Sequence, residues 1–129
     1  PPVVFQSTRT MVRRMLLIDD EPEICLLLQA ILARNGIAST SAHSLADARR
    51  SLALGWFDGI FLDVNLPDGK GYELIPQIKA AYPHIRVIVI SAMDGERPGA
   101  MSAGADIFLP KPMELRAISE RLKGTGLMN

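Results

Sequence analysis

The sequence predicts an α/β fold: a single doubly wound (βα)5 domain, built on a five-stranded parallel sheet with helices on both faces. Three observations lead there. The chain has 129 residues, 48% of them hydrophobic and 22% charged, which suits one globular domain with a real core. Short apolar runs alternate with amphipathic stretches five times along it. Two of those runs, Gly59–Leu62 and Val87–Ile90, are apolar without alternation, the pattern of strands covered on both faces of a parallel sheet. Right-handed crossovers then distribute the helices over both faces.

Met15–Ile18 has strand length, and Pro22 opens a helix where its missing N–H costs nothing. Ile24, Leu27, Leu28, Ile31 and Leu32 keep the spacing of a buried helical stripe, which Asn35-Gly36 ends. Ile37–Ser41 is a more polar strand and suits a sheet edge. Ser44 with Asp47 forms a start similar to a capping box, followed by Leu45, Ala48 and Leu52 on one face and Gly55 at the end. A helix is expected over Tyr72–Tyr82, with Pro76 near its first turn shifting its start or bending it. Ile107–Leu109 is the last strand and Met113–Lys123 the last helix, with Leu115, Ile118 and Leu122 on one face.

Composition excludes several roles. Fourteen basic residues balance fourteen acidic ones, so there is no basic field for nucleic acid or an anionic membrane. One cysteine allows no intrachain disulfide, which fits a cytoplasmic setting. No apolar run approaches the ~20 residues that span a bilayer. Residues 1–10 are expected to be a leader or disordered arm, residues 11–123 the domain, and residues 124–129 a tail or linker stub.

In folds of this class, ligands bind outside the carboxyl ends of the strands. Asp19, Asp20 and Glu21 follow the first strand, Asp63 the third, Ser91 the fourth, and Lys111 the fifth. Close carboxylates repel, by roughly 4 kcal/mol for unit charges 4 Å apart at an effective dielectric near 20. Lys111 offsets part of this, and a divalent metal would offset more. All-oxygen ligands suit Mg²⁺, Mn²⁺ or Ca²⁺. Glu21 alone reads as a helix-capping acid, favoured by the helix dipole. Capping does not account for the whole set of Asp19/Asp20, Asp63, Ser91 and Lys111.

Four segments, MLLIDDEPE (15–23), IFLDVNLPDGKGYEL (60–74), VIVISA (87–92) and GADIFLPKP (104–112), together resemble the receiver domain of two-component response regulators, over about residues 12–123. The expected strand order is 2-1-3-4-5. The resemblance implies that Asp63 accepts a phosphoryl group from a histidine kinase or phosphotransfer protein. It implies Mg²⁺ (or Mn²⁺) held by Asp20 directly, by Asp19 mainly through bound water, by Asp63, and by the Asn65 backbone carbonyl. Lys111 and Ser91 would contact the phosphoryl oxygens, and Ser91 and Phe108 would switch together. The domain would be a signalling module rather than an enzyme, catalysing only its own phosphorylation and dephosphorylation. Its output partner or a second copy would use the face of the fourth helix, fifth strand and fifth helix. The Lys111-Pro112 bond is expected to be cis, at about 0.5–1 kcal/mol for an X–Pro bond.

The sequence departs from the common family pattern at several points. Ser91 stands where threonine is commoner, Phe108 where tyrosine is frequent, and Met113 where an aromatic often follows. Ser91 to Lys111 spans twenty positions, about two fewer than usual. Asp94-Gly95 and Pro98-Gly99 fall in that shortened stretch, so the helix between Met93 and Ala103 should be short, late-starting or poorly ordered. Other signals are weaker. Asp63-x-Asn65 with Asp68-Gly69 lacks the spacing of a calcium loop. No G-x-S-x-G surrounds Ser91. Asn65 stands where a haloacid-dehalogenase-type phosphohydrolase would carry an acid. A receiver-like module that no longer takes phosphate would lack some acceptor-site residue, and none is missing. His43 and His84 read as surface histidines, Cys25 as a small hydrophobe, Gly69 and Gly71 as turn residues, and Trp56-Phe57 as packing at the sheet's lower end.

Overall fold

In chain order the elements are β1 (Arg13–Ile18), α1 (Pro22–Arg34), β2 (Ile37–Ala42), α2 (Leu45–Leu54), β3 (Gly59–Asp63), α3 (Leu74–Ala81), β4 (Arg86–Ser91), α4 (Arg97–Ala103), β5 (Ile107–Pro110) and α5 (Leu115–Lys123). The computed structural model describes residues 13–111 and 115–123. The five strands form one parallel sheet in the order β2-β1-β3-β4-β5. A small antiparallel hairpin, Asn65–Leu66 with Gly69–Lys70, follows β3.

The sheet separates two apolar layers. Met15 and Leu17 point with Phe61, Ile88 and Ile90 toward Cys25, Leu28, Ile31 and Leu32 of α1 and Ile118 and Leu122 of α5. Leu16 and Ile18 point the other way, toward Leu45, Ala48 and Leu52 of α2, Leu74, Ile75 and Ile78 of α3, and Ala100 of α4. The period-two alternation of a strand produces this division: each central strand feeds both layers, and so reads as continuously apolar. On α1 the expected stripe is buried at Leu28, Ile31 and Leu32 and half-buried at Ile24 and Leu27. Cys25 joins it, its thiol donating toward the Asp19 carbonyl at 3.6 Å.

Helix boundaries follow local chemistry. Ser44 caps α2 by accepting the Asp47 N–H at 3.1 Å. The expected helix from Tyr72 is instead a 3₁₀ turn, Gly71–Glu73, leading into α3 at Leu74. Pro76 is the third residue of α3, where an N–H would have no intrahelical acceptor, so the helix start is shifted to suit the proline. The fourth helix is short and late: a 3₁₀ turn at Asp94–Glu96 precedes seven α-helical residues, with Pro98 in the first turn. Gly104 ends it at φ 114°, and Ala105 N–H returns to the Ala100 carbonyl at 3.1 Å. The expected start of the last helix at Met113, and the side chain of Leu115, lie outside the described residues, as do residues 1–10 and 124–129. Trp56 is exposed and stacks on His84 at 4.2 Å, while Phe57 is buried.

Only Ala100 is fully buried among the residues of α4, and a glycine lies inside that helix. Segments with so few buried contacts open at low cost. Amides at Met101–Ala103 should therefore exchange with deuterium at least ~10-fold faster than those at Leu28–Leu32 of α1. Equal protection in the two helices would show that α4 is held more firmly than its packing implies.

Candidate functional site

The chain runs from β1 to one side of the sheet and from β3 to the other, so the carboxyl ends of these neighbours flank a crevice. Ile18 pairs with Leu62, which sets Asp19 beside Asp63. Three polar residues at this rim are buried: Asp19, Asp63 and Ser91. Lys111 is pinned where β5 ends, its N–H donating to the Ser91 carbonyl at 2.8 Å. Its ammonium lies 2.8 Å from Asp19 Oδ2, 2.8 Å from Glu21 Oε1 and 3.6 Å from Asp63 Oδ2. A cleft of about 250 Å³ opens here, lined by Asp20, Glu21, Asp63, Asn65, Ala92 and Lys111.

Burial and mutual repulsion work against the charges of the acids at this rim. Burial raises the Asp19 pKa even though Lys111 and the Glu21 N–H pull it down. Asp63 is raised from 3.8 to about 6, by burial first and then by the negative charge of Asp19, against the pull of Lys111. Burial opposes the charge of Lys111, but its pairing with Asp19 and Glu21 outweighs that and holds it firmly protonated. Asp19 Oδ1 accepts the Glu21 N–H at 2.9 Å. Asp19 Oδ2 is buried and has the Lys111 ammonium, 2.8 Å away, as its one partner among the described residues. Asp19, Asp20, Glu21 and Asp63 each offer an oxygen within 4.8 Å of the others. Four carboxylates with oxygens this close, against one ammonium, fit a hard divalent cation.

Backbone geometry holds Asp63 in place. A Cβ on Gly71 would sit 2.4 Å from the Asp63 carbonyl oxygen, so only glycine lets the chain return this close. The Gly71 N–H donates to the Val64 carbonyl at 2.7 Å. Asn65 N–H reaches Asp63 Oδ1 at 3.4 Å, and the Asn65 side chain accepts a bond from Lys70. Ser91 Oγ accepts the Met93 N–H at 3.1 Å. Phe108 is buried, with the Arg97 guanidinium 4.7 Å above its ring.

The expected site residues thus converge, with differences of detail. Lys111 leans on Asp19 and Glu21 more closely than on Asp63. Glu21 occupies the N-cap position of α1 but makes no capping bond; its carboxylate accepts from Lys111 instead, because a buried ammonium draws in a second acid. Ser91 and Phe108 are buried and do not belong to the cleft lining. His43 is exposed as expected, but its Nδ1 is bonded to the Asp19 carbonyl at 2.9 Å, which requires the proton on that nitrogen. Lys70 was not anticipated at the site, and neither was the Gly71 contact with Asp63. The Lys111-Pro112 isomer and Met113 lie outside the described residues.

Residues 15–123 match the profile of the response regulator receiver domain. The chain is 36% identical over 110 residues to the response regulator protein PilR of Pseudomonas aeruginosa, covering 84% of this chain and 25% of PilR. It is 31% identical over 112 residues to the response regulator MprA of Mycobacterium ulcerans, covering 85% of this chain and 48% of MprA. It therefore spans half or less of the length of these relatives. Among solved structures, the response regulator TrrA of Thermotoga maritima, in complex with Mg²⁺ and BeF, superimposes with a TM-score of 0.80 at 26% identity, over 88% of this chain and 99% of that one.

A carboxyl raised from 3.8 to about 6 keeps a proton in the folded state that the unfolded chain has released. The metal-free domain should therefore lose stability as pH rises through that interval. In a chelator, Asp63→Asn should be the more stable protein at pH 8, by about 2 kcal/mol, with the gain closing toward pH 4. Thermal melts across pH check this; a pH-independent difference would contradict the electrostatic account.

Proposed function

The chain belongs to the response regulator receiver domain family, and from that membership we propose that Asp63 accepts a phosphoryl group from a histidine kinase or a histidine phosphotransfer protein, in a Mg²⁺-dependent reaction in the cytoplasm. The observation that carries this reading is one buried carboxylate, Asp63, that lines an acidic cleft with the Lys111 ammonium 3.6 Å away. Phosphoryl transfer needs mainly positioning and charge stabilisation from a protein, and this cleft supplies both. The similarity to TrrA, whose structure holds Mg²⁺ and BeF, supports the choice of metal.

In this reading an Asp63 carboxylate oxygen attacks phosphorus while the P–N bond to the donor breaks, and the donor imidazole leaves with the bonding pair. Asp20 would hold the metal directly and Asp19 mainly through bound water, with Asp63 and the Asn65 carbonyl completing the protein's contribution. When bound, Mg²⁺ (Mn²⁺ would also serve) reduces the repulsion between an anionic nucleophile and an anionic donor. Lys111 keeps its proton and transfers its ion pairing from Asp19 and Glu21 toward the new phosphoryl oxygens. Ser91 exchanges its bond from Met93 N–H for one donated to the phosphoryl group, and Phe108 follows it. The catalysis is confined to the domain's own phosphorylation and dephosphorylation. The output leaves through the α4–β5–α5 face, toward an effector or a second copy of the chain.

Incubation with phosphoramidate and Mg²⁺ should add one phosphoryl group by mass spectrometry. Asp63→Ala should abolish the addition, and Asp20→Ala should weaken Mg²⁺ binding and slow it. Undiminished labelling of Asp63→Ala would overturn the assignment.

A further inference from the structure

The hairpin after β3 carries Asn65 beside Asp63, yet it has only two residue pairs, Asn65 with Lys70 and Leu66 with Gly69. A ribbon this short does not hold its own shape in water. Its anchor lies at its tip. Asp68 Oδ1 accepts the Leu45 N–H at 2.7 Å, and Asp68 Oδ2 accepts the Ala46 N–H at 3.0 Å. These are the first two amides of α2, 23 and 22 positions away. The helix already has its own cap: Ser44 Oγ takes the Asp47 N–H, and the Ser44 carbonyl takes the Ala48 N–H. So the first three amides of the helix, which have no intrahelical acceptor, are all satisfied, two of them from a different loop. Both Asp68 bonds are charge-assisted, and they hold its carboxyl below the usual carboxylate range. Packing reinforces the grip: Gly69 stands at φ 149°, and a Cβ there would lie 2.7 Å from Leu45 Cδ1.

We propose that Asp68 is a positioning residue for the acidic cleft: by gripping the start of α2 it fixes the hairpin that presents Asn65 next to Asp63. The inference rests on the proposed reading of the cleft as a metal-dependent phosphoacceptor site. The hairpin is pinned at its tip by Asp68 and at its base by the Gly71 N–H on the Val64 carbonyl. Release of Asp68 leaves Asn65 held by its N–H on Asp63 Oδ1, by Lys70 and by its buried neighbours Val64 and Leu66, with the tip of the hairpin untethered. Asp68 is not among the residues that line the cleft, and its carboxylate bonds go to α2.

The test compares Asp68→Ala with Ser44→Ala. Both remove bonds from the same helix terminus, but only the first releases the hairpin. Both should lower the melting temperature. Asp68→Ala should weaken Mg²⁺ binding roughly tenfold by calorimetric titration, the size of effect seen when groups supporting metal ligands are removed. It should also slow phosphoramidate labelling at saturating Mg²⁺, and speed amide exchange at Asn65 and Lys70 without metal. Ser44→Ala should leave those three readouts near wild type. Asp68→Asn, which retains one acceptor oxygen, should fall between and serves if the alanine variant does not fold. Wild-type Mg²⁺ affinity in the Asp68 variants, or an equal loss in Ser44→Ala, would overturn the positioning role alone. A wild-type protein that neither binds Mg²⁺ nor takes a phosphoryl group would overturn the role and the functional reading together.

Discussion

The Lys111 ammonium, held among Asp19, Glu21 and Asp63, is the interaction on which the rim of this sheet depends. Burying one carboxylate is costly, and burying two beside each other is tolerable only with a compensating charge close by. Strand pairing sets the stage. The β1–β3 register puts Asp19 next to Asp63, and the bond from Lys111 N–H to Ser91 fixes where the lysine stem begins. One cation does not balance the acids it meets, and burial still raises the pKa of both Asp19 and Asp63. The apolar layers that make the fold stable are therefore the same layers that leave the site short of positive charge.

That shortage explains why the loops around the cleft are tied down so thoroughly. Gly71 approaches the Asp63 carbonyl closely enough to exclude a side chain, and Asp68 clasps the start of α2. His43 reaches across to the Asp19 carbonyl from the end of β2. Each contact binds a loop to backbone rather than to another mobile side chain. Oxygen ligands for a small cation have to stay within a narrow range of separation against their own repulsion, and backbone anchors provide that at little entropic cost.

Much of this was legible in the sequence, for identifiable reasons. The buried strands were visible because Gly59–Leu62 and Val87–Ile90 are apolar on both faces, and the rim residues because each follows such a run. Ser44 was legible as a cap because its partner is three positions away. What escaped notice lies between distant positions. Glu21 and Lys111 are 90 residues apart, and local pattern made Glu21 a helix cap. The grip of Asp68 on Leu45 and Ala46 leaves no periodic trace, since an aspartate in a turn is ordinary on its own. The start of α3 was misjudged because Gly71 and Tyr72 are drawn into a 3₁₀ turn by the close return of the chain under Asp63.

The proposed switch has to work against the contacts that hold the present state, and these are unevenly distributed. Ser91 would give up the Met93 N–H, but Met93 is exposed and water can replace that bond at little cost. Phe108 would give up a buried position and the cation–π contact with Arg97, a larger loss. Arg97 is the first residue of α4, the helix with least burial, and its other partner is the exposed Asp94. Tyr72 fastens the preceding turn by donating to Glu96, so the start of α4 is tied to the same segment that returns beneath Asp63. Among the helices α4 buries least, yet its start is fastened through Tyr72 and Glu96 to the turn next to Asp63. Of the contacts the proposed switch would have to break, the burial of Phe108 and its contact with Arg97 are the larger, and the Ser91–Met93 bond the smaller.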